Sequence, residues 1–340
     1  MRKSKFILSI LLSAGIILPI LSVGCADSAF IKARDGQLKV IASIYPMADF
    51  ATKIGGEHVF VVQLIPSGFE PHAWEPSTLD MSAFEEADVF IYNGAGMEVW
   101  SDKVLTAVQN QSLISVNTSA DVDLIEPGAY SVTEDSREDD SSESYEDDHN
   151  SDASSGEEHD EEDHDHGTYD PHVWLDPRNA KLQMKAICET LCRADPEHEE
   201  YYRDNFVRYA AEADALDKKY RDALEGAAGD YIVVSHEAFG YLCKAYGLWQ
   251  IPIRGISADA EPDAARMREI IEMTEKYHVR VIFFEALSSP KVAEVIAEET
   301  GCETLPLHPI GGLTEEQIEA GEDYFSLMRS NLEALTYALS

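Results

Sequence analysis

Residues 197–226 read EHEEYYRDNFVRYAAEADALDKKYRDALEG. Tyr202, Phe206, Tyr209, Ala213, Leu216 and Tyr220 recur at alternating intervals of four and three residues, the spacing of one apolar helix face. Asp195-Pro196 precedes the stretch and Gly226 closes it, which suits a helix start and stop. Roughly 30 residues at about 1.5 Å each give about 45 Å, enough to cross a whole domain. The segments on either side therefore fold as two units joined by this helix.

Both flanks alternate strands with helices. On the amino-terminal side, Leu38–Ile44, Val59–Ile65, Asp88–Tyr92 and Leu113–Val116 read as strands. Helices fit from Pro46 to about Gly55, from Ser77 to Ala87 and from Met97 to Asn110. Asp176-Pro177 opens a further helix that runs to about Arg193. On the carboxy-terminal side, Tyr231–Val234 and Val279–Phe284 are strands, with weaker ones near 248–253 and 303–307. Helices are expected over 237–246, 262–277, 288–299 and 314–339. Strands separated by helical segments of this length imply mostly parallel sheets flanked by helices. The expected fold class is α/β, with two such lobes joined by one long helix. The lobes span 38–195 and 227–340, and the linking helix 196–226.

The chain of 340 residues carries a formal net charge of −38 with 44% hydrophobic residues. Between Ser131 and Thr168 there are 17 Asp and Glu against one basic residue, Arg137. Such a segment has too few aliphatic residues to offset its ordering entropy, so 118–169 reads as a long acidic excursion from the first lobe. The remainder is acidic too, which argues against nucleic acid as a partner.

At the amino terminus Arg2, Lys3 and Lys5 precede an apolar run from Phe6 to Val23, the pattern of a secretory signal. The run is about the length of a membrane span, so hydropathy alone leaves an uncleaved anchor open. Leu21-Ser22-Val23-Gly24-Cys25 resembles a bacterial lipobox, with Ser22 where an aliphatic residue is usual. It implies a signal peptide over 1–24, a lipidated Cys25 and a short tether over 25–37. The mature protein is then extracytoplasmic, held to the cell membrane by its lipid alone. Of the other cysteines, Cys188 and Cys192 sit i,i+4 on a helix as buried thiols, while Cys243 and Cys302 could pair in an exported protein. No C-x-x-C motif is present.

Four candidate metal ligands stand where strands or loops meet helices. His72 lies in Glu70-Pro71-His72-Ala73-Trp74, and His172 in Asp170-Pro171-His172-Val173-Trp174. His236 ends one buried strand and Glu285 follows another. Ligands of open α/β sheets bind outside the carboxyl ends of strands. Two candidates come from each lobe, so the site is expected in the interlobe cleft. Three imidazoles and one carboxylate suit Zn²⁺ and suit Ca²⁺ or Mg²⁺ poorly. Any one histidine could equally be a satisfied core residue. The prolines beside His72 and His172 restrain the backbone where a ligand must be held. Trp74, Trp174, Phe239 and Phe284 read as packing around the cleft, and Glu70 and Glu237 as acceptors for imidazole N–H groups or as exposed carboxylates.

The stretches PHAWEPS, DPHVWLDPRNA, SHEAFGYL, FFEALSSPKVAEVIAEETG and EEQIEAGEDYFSLMRSNLEAL occur in an order and spacing similar to the zinc-binding branch of the metal ABC-transporter solute-binding lipoproteins, the cluster A-I binding proteins. The resemblance covers nearly all of the mature chain. It implies that His72, His172, His236 and Glu285 hold Zn²⁺, that the protein is a monomeric binding component, and that its partner is the membrane permease of an ABC importer. The manganese branch has a glutamate at the position of His236 and an aspartate in the last loop, so His236 favours zinc. His308 falls near that aspartate, as a supporting group or a rival fourth ligand. The acidic segment resembles the zinc-branch loop, in which His149, His159, His164 and His166 would collect zinc weakly.

A zinc hydrolase is the principal rival, with Glu237 as its base. No H-E-x-x-H, G-x-S-x-G or phosphate loop supports it, and four protein ligands leave no position for water. The lipid anchor also permits a surface adhesin, though no repeat points to one.

Overall fold

The computed structural model describes residues 28–69, 71–132, 169–227, 229–256 and 261–340. The signal peptide, Cys25, Glu70, the loop residues 257–260 and the collector histidines His149, His159, His164 and His166 lie outside the described residues.

The first sheet contains β1 (Leu38–Ala42), β2 (Val59–Gln63), β3 (Val89–Tyr92) and β4 (Ile114–Asn117), all parallel, in the order β2-β1-β3-β4. Its helices are α1 (Tyr45–Gly55), α2 (Thr78–Glu86), α3 (Ser101–Ala107) and α4 (Pro177–Ala194). The second sheet repeats this topology with β5 (Tyr231–His236), β6 (Trp249–Arg254), β7 (Val281–Phe284) and β8 (Glu303–Pro306) in the order β6-β5-β7-β8. Its helices are α6 (Gly240–Tyr246), α7 (Ala264–Lys276), α8 (Lys291–Thr300), α9 (Glu315–Ala320) and α10 (Tyr324–Leu339). Between the lobes runs α5 (Glu199–Leu224), whose 26 residues span about 39 Å.

Successive side chains of a strand face opposite ways, and both faces here are covered. Val40, Ala42, Val89 and Ile91 enter the central core, while Ile41 and Phe90 join Phe84 and Trp100 on the outer face. In the second sheet Ile232, Val234, Val281 and Phe283 face the same central core, and Val233, Ile251 and Ile282 face outward under α7 and α8. One continuous apolar core thus runs from sheet to sheet through α5, which contributes Tyr202, Ala213, Leu216, Tyr220 and Leu224. Phe206 and Tyr209, counted in its stripe, are only half-buried. The Tyr220 hydroxyl donates to the Met328 carbonyl at 2.6 Å, tying the helix to α10. Lobes that share a core in this way resist wide separation.

Three expectations need correction. The helix expected over 314–339 is two helices, because Gly321 ends α9 in the left-handed region (φ 71°) and Asp323 caps α10. The helix expected from Met97 begins at Ser101, after Gly94, Ala95 and Gly96 all take positive φ. The start of the acidic excursion is packed: Val122, Ile125 and Val132 are buried. Tyr130–Val132 lies along the edge of β6, with Val132 N–H donating to the Gln250 carbonyl at 2.9 Å and Gln250 N–H to that of Tyr130 at 3.0 Å. The aliphatic residues interleaved among these acids give the segment something to bury. Cys243 and Cys302 are free thiols, as are the buried Cys188 and Cys192.

Candidate metal centre

In each sheet the chain winds in opposite directions from its two central strands, which opens a crevice at their carboxyl ends. In the second sheet that crevice lies between β5 and β7, where His236 and Glu285 stand. In the first sheet Glu98 fills the equivalent place. Its buried carboxylate accepts from Ser43 Oγ at 2.5 Å, Asn93 N–H at 3.0 Å and Gly94 N–H at 2.9 Å. Asn93 then donates from Nδ2 to the Pro171 carbonyl at 2.9 Å. This holds the turn that presents His172, which sits just before the short 3-10 turn Val173–Leu175 leading into α4. His72 arrives from the turn after β2.

The three imidazoles meet. His72 Nε2 lies 3.2 Å from His172 Nε2, and His236 Nε2 lies 3.3 Å from the same atom. Among the described residues they form the one group of three or more His, Cys, Asp or Glu whose ligand atoms all lie within 4.8 Å of one another. Two nitrogens each about 2.0–2.1 Å from a tetrahedral zinc are about 3.3 Å apart, so the observed spacings match an edge of that polyhedron.

The far ring nitrogens decide what the near ones offer. His172 Nδ1 lies 2.9 Å from Asp170 Oδ1, and His236 Nδ1 lies 2.5 Å from Glu285 Oε1. A carboxylate accepts, so each Nδ1 carries the proton, a tautomer assigned from these partners. Both Nε2 atoms then present lone pairs, at 3.3 Å from each other. Facing lone pairs repel unless a cation lies between them. A carboxylate on the second nitrogen is the common support of a metal-bound histidine.

Charge reinforces this. Burial, followed by the neighbouring imidazoles of His172 and His236, pushes His72 down to about 2. Burial and His236 likewise hold His172 well below the ordinary histidine value. Burial alone would raise Glu285, but the electrostatic pull and hydrogen bond of the His236 Nδ1–H directed at it, then the charge of Arg254, outweigh it and keep the carboxyl below its usual value. At neutral pH His72 and His172 are neutral and Glu285 is ionised.

The remaining predicted residues sit differently. Glu285 lines the same cavity but stands at the back of His236, outside the group of three nitrogens. His308 is on the cavity wall, with Nδ1 3.3 Å from Gln317 Nε2, and its backbone is held by Asn331. Glu237 faces away from the imidazoles and accepts from Ser131 Oγ at 2.6 Å. Pro71, Met97, Trp174, Leu287 and Ile310 supply apolar walls. Sequence reasoning missed Asp170, although it stands two residues before His172 in a Pro-restrained turn. It also missed the interlobe role of Trp174, whose Nε1 donates to the Pro309 carbonyl at 2.7 Å and whose carbonyl accepts from Tyr324 at 2.7 Å.

Comparison with known proteins adds to the geometry. A family model described as zinc-uptake complex component A, periplasmic, matches residues 40–338. The high-affinity zinc uptake system protein ZnuA of Bacillus subtilis is 37% identical over 316 residues, covering 93% of this chain and 90% of that protein. The zinc-binding lipoprotein AdcA of Streptococcus pneumoniae is 34% identical over 319 residues, covering 92% of this chain, which spans only 57% of AdcA. The crystal structure of the Zn(II)-bound ZnuA-like domain of that AdcA superposes with a TM-score of 0.72 at 31% identity, covering 89% of this chain and 99% of the domain.

Proposed function

The chain belongs to the zinc-uptake complex component A family, the zinc-binding components of ABC-type zinc transport, and we propose that in this member His72, His172 and His236 are the ligands that take up the ion. The observation that carries this is the pair of converging Nε2 lone pairs, fixed by carboxylates behind them and spaced as a tetrahedral zinc requires. Glu285 holds the His236 tautomer through Nδ1 until the ion arrives, and then supplies the fourth donor by turning its carboxylate toward the ion. Three neutral imidazoles and one carboxylate leave the bound site with a single positive charge. A nitrogen-rich shell also favours Zn²⁺ over Mn²⁺, which prefers oxygen. His308, with Gln317 on one ring nitrogen, supports the wall of the cleft.

The protein acts as a carrier and not as an enzyme, since four protein donors leave no position for an activated water. It works outside the cytoplasmic membrane as a monomer, anchored through lipidated Cys25 and the tether up to residue 37. No helix among the described residues is long and apolar enough to cross a membrane. The lobes 38–195 and 227–340 close over the ion with small movement, because they share one core across the linking helix 196–226. The permease of an ABC importer then receives the zinc. The acidic segment that follows Val132 acts as a weak collector of zinc.

Calorimetric titration of the chelator-stripped protein tests this. Zinc should bind with one tight equivalent and further weak ones, and manganese should bind at least about a hundredfold more weakly at the tight site. Deleting residues 133–168 should remove the weak equivalents and leave the tight one. Loss of the tight equivalent on that deletion would move the site into the acidic segment.

A further inference from the structure

We propose that Gly240 and Tyr241, at the start of α6, form a seat for Asp170 that sets the position of His172 relative to His236, making Asp170, Gly240 and Tyr241 positioning residues for zinc. This rests on the ligand assignment above.

Asp170 is 2% exposed, and its Oδ1 accepts from both the backbone N–H and Nδ1 of His172, each at 2.9 Å. That double contact fixes the ring's tautomer and its rotation together. The backbone of Asp170 is held in turn: its N–H donates to the Ile125 carbonyl at 2.9 Å, and its carbonyl accepts from the Tyr241 hydroxyl at 3.0 Å. The same hydroxyl accepts from Ile125 N–H at 3.3 Å. The other carboxylate oxygen, Oδ2, lies against Gly240. A Cβ on Gly240 would come within 2.5 Å of Asp170 Oδ2 and 3.1 Å of Ile125 Cδ1, so only glycine leaves room for the carboxylate. Gly240 is four residues beyond His236, and Phe239 N–H between them is held by Gln250 Oε1 at 3.0 Å. A single short turn therefore carries one ligand and the seat of the group that aims another. The spacing of two nitrogens contributed by different lobes is fixed at one place.

The test uses the full mature chain, stripped of metal. Zinc affinity is measured by competition with a chromogenic chelator, and site geometry by the visible absorption of the Co²⁺-substituted protein. G240A and D170A should each weaken zinc by about ten- to a hundredfold and reduce the intense tetrahedral Co²⁺ bands. D170N keeps an acceptor oxygen of the same size, so it should restore most of the affinity and the spectrum. Y241F should lose less than either. Should G240A not fold, the D170A and D170N pair decides alone. Wild-type affinity and an unchanged Co²⁺ spectrum in D170A, or equal loss in D170A and D170N, would overturn the proposal. H172A separates the two levels: if it still binds zinc tightly, the ligand assignment itself has failed. If it loses zinc while D170A does not, only the seat has.

Discussion

Replacing His172 with alanine should weaken zinc binding by about a hundred- to a thousandfold. Zinc held by four protein donors is bound with roughly 10–16 kcal/mol, so each donor carries about 3 kcal/mol on average, and 1.4 kcal/mol is about tenfold. His172 is the sharpest choice because its Nε2 is the one that both other imidazoles approach, at 3.2 and 3.3 Å. Its loss leaves His72 and His236 without the nitrogen that joins them. The fold should survive, because removing an imidazole that faces the cleft leaves the apolar core intact. Two measurements check this: chelator competition for affinity, and thermal unfolding with and without zinc. Zinc at about a thousand times its dissociation constant stabilises a folded protein by about 4 kcal/mol, and that increment should vanish in the variant while the melting temperature of the metal-free protein stays near wild type.

The second large effect is on stability. Trp174 is fully buried, stands two residues after His172, and is bonded to the other lobe at both its indole and its carbonyl. Trp174→Ala should lower the unfolding free energy of the metal-free protein by about 3–5 kcal/mol, the usual range for a large aromatic deleted from a core. It also leaves the Pro309 carbonyl without its donor, next to Ile310, a buried β-branched residue at φ 59° that only firm surroundings will hold in that conformation. Zinc affinity should fall with stability, since Ile310 and Trp174 are both walls of the cavity. Trp174→Phe keeps most of the apolar volume but not the donor, and should cost about 1–3 kcal/mol. Urea denaturation measures both. A loss below about 1 kcal/mol for the alanine variant would mean that the lobes are held together elsewhere.

The order of strands and helices was legible because both sheets are covered on two sides, and their strands read as short apolar runs between turn residues. His236 and Glu285 were legible for the same reason: each terminates such a run, where parallel sheets collect their ligands. His72 and His172 stood out through the prolines beside them. What could not be read depends on distance in space. Nothing in the sequence links Gly240 to Asp170, 70 positions apart, since the constraint is a missing Cβ facing a carboxylate oxygen. The single core shared by the lobes was hidden because the stripe on α5 shows only that one face is buried, and not that both sheets bury it. The packed stretch 118–132 holds only three acids, and was lost because it runs straight into the acidic run that follows and its Val122, Ile125 and Val132 are too sparse to form a periodic signal. Which way Glu285 points is likewise a matter of side-chain torsion, and the structure sets it on His236 Nδ1.

Anomalous diffraction at the zinc edge from crystals of the zinc-loaded protein reads out which side chains hold the ion. A single strong peak is expected about 2.0–2.1 Å from Nε2 of His72, His172 and His236, with a carboxylate oxygen of Glu285 as the fourth donor. A principal peak on other residues, or one that engages fewer than three of these imidazoles, would contradict it.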